Sequence, residues 1–110
     1  MAEGGQLQAR IEQVAATIEG LERRVDEDGI HYAIDGVAFA VVWGGHASFR
    51  LRPDIADAAL KTPDVHAGSQ GPGWVELAAP EPGQFALDRA SSWFAASARY
   101  ASESPRRRAH

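Results

Sequence analysis

ERRVDEDGIHYAIDGVAFAVVWGGHASFRLR, residues 22–52, sets β-branched and aromatic runs between three breaks, Asp28-Gly29, Asp35-Gly36 and Gly44-Gly45. Asp-Gly and Gly-Gly supply the positive φ that tight hairpin turns require. Three such turns between four runs predict four consecutive antiparallel strands, a meander. With Asp35-Gly36 as a two-residue loop, Ile34 faces Val37, Tyr32 faces Phe39 and Ile30 faces Val41, which gives the sheet one apolar side. The next turn tests that register. A two-residue loop at Gly44-Gly45 pairs Trp43 with His46 but puts Ser48 and Arg50 on the apolar side, with Phe49 and Leu51 pointing away. A longer loop, Gly44-Gly45-His46, or a bulge returns Phe49 and Leu51 to the side of Phe39 and Val41, and one of these is expected. Ser48, Arg50 and Arg52 then line the outer face near His31 and Ala33.

Working outward, Leu7, Ile11, Val14, Ile18 and Leu21 recur at spacings of three and four, one stripe of an amphipathic helix over residues 6–21 that Gly20 helps to stop. Past the meander, Pro53 opens a short helix with Ile55, Ala58, Ala59 and Leu60 on its buried side, and Thr62-Pro63 ends it. DVHAGSQGPGWVEL, residues 64–77, reads as a loop that delivers a fifth strand, WVELAA. The turn PEPGQ follows. Leu87, Ala90, Trp93, Phe94, Ala98 and Ala101 then mark a closing helix over residues 84–101. The fold class expected is α+β, a two-layer α/β sandwich of order α-β-β-β-β-α-β-α. Its antiparallel sheet of about five strands carries the N- and C-terminal helices on one face. One domain spans residues 1–102, and the basic segment 103–110 is expected to be a disordered tail.

The 110 residues, 45% apolar and 24% charged, suit one globular domain. No apolar run is long enough to span a membrane and MAEGGQLQAR has no signal-peptide pattern, so a cytoplasmic location is expected. The absence of cysteine excludes disulfides, thiolate catalysis and cysteine-ligated metal. The formal charge of −4 is uneven. The segment from Glu103 to His110 holds one acid and three arginines, a sum of +2, which leaves −6 on residues 1–102. An acidic body disfavours sequence-independent binding of nucleic acid, although a local basic patch can still act.

Three binding readings remain open, and no catalytic residue, cofactor or metal site is expected. Arg50 and Arg52, with Arg23 and Arg24 on the neighbouring meander, can form a basic wing that contacts DNA phosphates. Trp43 and Trp74 can wall a small pocket at the end of the sheet, with His46, His66 and Ser69 at its rim. The third reading is a subunit whose outer-sheet residues Ala38, Ala40 and Val42 are covered by a protein partner or by a second copy. His66 is the one histidine placed in a glycine-rich loop beside an indole, where it can act as an acid, a base or a ligand contact. Its plainer role is to cap a backbone carbonyl. GSQGPG is no phosphate loop, because no Lys-Ser/Thr follows it and it precedes a strand.

The stretches DGVAFAVVWGGHASFRLRPDIADAAL (35–60) and DVHAGSQGPGWVEL (64–77), with a closing helix ending Ala-Arg-Tyr-Ala (98–101), resemble the MmcQ/YjbR family of small bacterial proteins over roughly residues 7–102. The resemblance implies a frataxin-like α/β sandwich and a DNA-binding role through a wing-like motif. Where that family commonly places a polar or basic residue, often His, before the tryptophan, this chain has Pro72-Gly73.

Overall fold

The computed structural model describes residues 5–79 and 83–103. The expected disordered tail beyond Glu103 and most of the PEPGQ turn lie outside the described residues. In chain order the elements are α1 (Gly5–Ala15), β1 (Leu21–Asp26), β2 (Gly29–Ile34), β3 (Val37–Trp43), β4 (His46–Arg50), α2 (Pro53–Ala59), β5 (Val65–Ala67), β6 (Trp74–Ala78) and α3 (Gln84–Ser102). The strands form one antiparallel sheet in the order β1-β2-β3-β4-β6-β5. The architecture is α+β, as the sequence predicts, with six strands in place of about five.

The added strand, β5, comes out of the segment read as a loop. Val65 pairs with Leu77, His66 with Glu76 and Ala67 with Val75. Three residues are too few to show a period, and the pairing is driven from the other side, where buried Val65 meets buried Leu77. Helix α1 is shorter than its apolar stripe. After Ala15 the chain makes tighter three-residue bonds, Thr17 N–H to Val14 O and Ile18 N–H to Ala15 O, and the Thr17 hydroxyl also donates to Val14 O. Ile18 and Leu21 still pack against the core, from a turn and from the first residue of β1.

A bulge resolves the register conflict between the two turns. Ile34 pairs with Val37 and Ala33 with Ala38, but Tyr32 then pairs with Ala40 and Ile30 with Val42, so the ladder shifts between Tyr32 and Ala33 and skips Phe39. Phe39 and Ala40 are therefore both buried. The expected pairs Tyr32 with Phe39 and Ile30 with Val41 do not form. The Gly44-Gly45 loop keeps two residues, with Trp43 opposite His46, and Ala40 meets Phe49. Phe49 and Leu51 are buried as expected, by a bulge one hairpin earlier than the turn that called for it. The same shift places Ala40 and Val42 in the core, so of the three residues assigned to the outer face only Ala38 is exposed.

Phe94 of α3 is the centre of the core. Its ring meets Tyr32 edge-on at 4.9 Å and Phe39 at 5.3 Å, and Trp93 meets Phe49 at 6.2 Å. Leu7, Ile11 and Ala15 of α1 join the same cluster, and Arg10 ties α1 to Asp88 of α3 at 3.0 Å. The Tyr32 hydroxyl donates to Glu12 of α1, which also takes Arg23 at 3.0 Å. Burial and the Glu12 carboxylate both push the ionisation of Tyr32 up, so it stays a neutral donor.

The first hairpin turns at Glu27 and Asp28, one residue before the expected Asp28-Gly29, since Asp26 pairs with Gly29. Gly29 is required for a different reason: its φ is +135°, and a Cβ there would lie 2.4 Å from the carbonyl oxygen of Val42. Asp26 Oδ1 accepts the Asp28 backbone N–H at 2.9 Å and bonds His31 Nε2 at 3.0 Å. The Asp28 N–H, then His31 and Arg24, hold the Asp26 carboxyl below its ordinary range. A lowered native pKa stabilises the fold above the ordinary carboxylate range, and the effect fades as pH falls through the native value. In urea titrations at a series of pH values, the advantage of the natural chain over Asp26→Asn is therefore expected to be full near neutrality and to shrink in acid.

Candidate functional site: a cleft at the end of β4 and β6

Cross-strand partners share a face of the sheet, so the pairings place Arg24, His31, Val41, Ser48, Glu76 and His66 in one row across all six strands, opposite the face that carries Tyr32, Phe49 and Val75. Within this frame the residues of the expected pocket separate. Trp43 and His46 stand at the Gly44-Gly45 end, with ring centroids 5.4 Å apart and planes at 9°. Trp74 stands at the other end of β4, opposite Arg50, about 13 Å away at the rise of an extended strand. The two indoles do not wall one cavity. His46 instead gives its Nδ1 to Glu76 Oε2 at 3.1 Å, and Glu76 is the cross-strand partner of His66. His66 therefore lies across the strand from the residue that His46 bonds, and no described hydrogen bond joins the two histidines. Ser69 is exposed in the loop between β5 and β6.

The arginines of the expected wing separate as well. Arg23 is paired with Glu12 at 3.0 Å and Arg24 with Asp26 at 3.3 Å, on β1, three strands or about 14 Å from β4. Arg50 and Arg52 stay together at the end of β4, where their guanidinium carbons lie 4.8 and 5.8 Å from the ring centroid of Tyr100 in α3. Arg52 also reaches Glu103 at 3.4 Å. Pairing between β3 and β4 stops at Ala40 and Phe49, so Arg50 has a strand on one side only and is free to lean towards α3.

Around Arg50 the chain builds a cleft of about 350 Å³. It is lined by Leu51 and Val75, by Ala56 of α2 and Leu60 just past its end, by Trp74 and Tyr100, and by Gly71, Pro72 and Gly73. Each part has a local cause. Pro53 starts α2 immediately after β4, which folds Ala56 and Leu60 back over the strand end. Gly73, at φ +84°, passes close to Leu51, whose N–H it accepts at 2.9 Å. Ala67 of β5 and Asp57 of α2 lie at the cleft's margins.

Arg50 is the unusual group in this cleft. Its Nη1 is enclosed and has no hydrogen-bond acceptor, and among the described residues no carboxylate lies within 4.0 Å of its guanidinium. Burying a cationic N–H without an acceptor is costly, on the order of a few kcal/mol. Stacking on Tyr100 offsets part of that cost. The arrangement can hold a small apolar molecule between Trp74, Tyr100 and Leu60, with Arg50 beside it.

Sequence reasoning placed Arg50 and Trp74 in different candidate sites and passed over Tyr100, Leu60 and Ala56 as site residues. A signal for Tyr100 was present, because it lies seven residues after Trp93 and so on the same side of the closing helix. Elsewhere, Asp26, Asp28 and His31 bring three donor atoms within 4.8 Å of one another. The bonds that close the first hairpin account for that grouping. No described helix is long and apolar enough to cross a membrane. The chain matches no protein-family model, no curated protein and no solved structure.

Proposed function

We propose that this domain is a non-enzymatic binding module whose site is the cleft lined by Arg50, Leu51, Leu60, Trp74 and Tyr100, and that it takes a small, largely apolar molecule. The observation that carries the reading is the half-buried guanidinium of Arg50, its Nη1 enclosed and unpaired with any described carboxylate, in a cleft of the size small ligands occupy, about 300–1,000 Å³. The pocket expected from Trp43, His46, His66, Ser69 and Trp74 thereby gives way to one that keeps only Trp74.

A thermal-shift screen of small metabolites tests this, because a ligand that binds only the folded chain stabilises it, by about 2.7 kcal/mol at a hundred times its Kd, and so raises its melting temperature. Ala67 is exposed at the cleft margin, so Ala67→Trp can be accommodated and is expected to abolish any shift with the fold intact. Shifts that survive this change would place the ligand elsewhere.

The resemblance to MmcQ/YjbR proteins supports a second reading, DNA contact, and the observation that favours it is the pair Arg50 and Arg52 side by side at Tyr100. Retention on DNA that weakens steeply with salt, in a chain that no small molecule stabilises, would decide for it.

A further inference from the structure

We infer that the molecule the cleft takes is a small monocarboxylic acid with an apolar body, its carboxylate on Arg50 and its body between Trp74, Leu60 and Tyr100. This rests on the cleft reading and adds a ligand class to it. The cleft contributes one cation that no described carboxylate neutralises, and a planar guanidinium matches a carboxylate with two parallel N–H to oxygen bonds, here from Nε and Nη2, since the enclosed Nη1 is out of a ligand's reach. The one acidic side chain at the margin, Asp57, is exposed, and Arg52, the neighbouring cation, is already matched by Glu103. The site therefore balances a single negative charge. A phosphate monoester would bring a second charge that meets no counter-charge and faces Asp57. A neutral molecule would leave the guanidinium unpaired. Apart from Asp57, the lining beyond Arg50 is aliphatic, aromatic, proline or glycine, which offers the rest of the ligand contact area and few hydrogen bonds.

Calorimetric titration of the full chain with phenylacetate, phenylacetamide and phenyl phosphate separates these possibilities, since the acid and the amide have nearly the same shape and differ in charge. Phenylacetate is expected to bind on the order of ten- to a hundredfold more tightly than the amide, the range for a hydrogen-bonded charge pair, and more tightly than the phosphate. Arg50→Gln should erase the difference between acid and amide while leaving weak binding of both. Equal binding of acid and amide by the natural chain, tighter binding of phenyl phosphate, or a preference for the acid that persists in Arg50→Gln would overturn the carboxylate inference and leave the cleft reading standing. Failure of all three probes to bind or to raise the melting temperature would count against both. If Arg50→Gln does not fold, the comparison in the natural chain still decides.

Discussion

Replacing Phe94 by alanine is expected to destabilise the domain by about 3–5 kcal/mol, the cost of emptying a fully buried phenyl site. For a single domain with roughly 5–15 kcal/mol of total stability, that change removes a large share of it. The position is unusually exposed to this loss, because Phe94 contributes to both layers at once. Its ring edge-packs on Tyr32 of β2 and on Phe39 at the bulge of β3, and aromatic pairs of this kind add about 0.5–1.5 kcal/mol each beyond the area they bury. The neighbours cannot easily collapse into the space, since Tyr32 is tethered through its hydroxyl to Glu12 and Phe39 is fixed by the bulged backbone. Urea unfolding should show a lower midpoint with an unchanged slope. Phe85, on the same helix but 83% exposed, is the control, and Phe85→Ala should leave the stability within about 0.5 kcal/mol of its natural value. A Phe94→Ala effect as small as the control's would mean that α3 does not seat on the sheet through this ring.

The second large effect is expected at Gly29, where the chain tolerates no Cβ. Two costs add in Gly29→Ala. A φ of +135° lies in a region essentially reserved for glycine, worth about 1–3 kcal/mol of backbone strain. The new methyl would also sit 2.4 Å from the Val42 carbonyl oxygen and 3.0 Å from the Trp43 Cβ, and overpacking of this type costs about 1–3 kcal/mol more. Relief requires β2 and β3 to part beside the Ile30–Val42 pair, with loss of a ladder contact. Gly36 provides the comparison. It too has a positive φ, +78°, but a Cβ there meets nothing within 4 Å, so Gly36→Ala should carry only the conformational part. Equal losses at the two positions would show that the close approach of the strands at Gly29 has no energetic weight.

The sequence made the layers and the meander legible because alternation and helical spacing are dense there: Ile30, Tyr32 and Ile34 on one strand, and Ala90, Phe94, Ala98 and Ala101 on one helix, are buried as their periods require. The register conflict at Gly44-Gly45 was legible too, as a need for one extra residue. Its location was not, since the parity argument fixes only that a bulge exists somewhere between Ile34 and Phe49. Strand β5 left no trace, because a three-residue edge strand is defined by its partner. The site was the least legible part. Trp43 and Trp74 look equivalent along the chain, each beside glycines, and only the pairing of Trp74 with Arg50 shows that they occupy opposite ends of β4. Along the chain Arg50 reads as a surface charge, and only the fold sets its side chain against Tyr100.

The bulge at Phe39 has a further consequence for how errors in this chain would propagate. Substitutions at most positions act locally, but side-chain direction alternates strictly along a strand, so one residue gained or lost changes the facing of everything paired after it. Strands β4, β6 and β5 inherit their orientation in sequence from β3 through β4. Residue 39 therefore works as a parity digit for half the sheet: with it, Phe49, Val75 and Leu77 face the helices and Ser48, Glu76 and His66 face away; without it, the charged and apolar sides of those three strands would exchange. The cleft's cation owes its place to a backbone irregularity two strands' length away in the chain, and a one-residue deletion there would do more harm than many substitutions in the cleft itself.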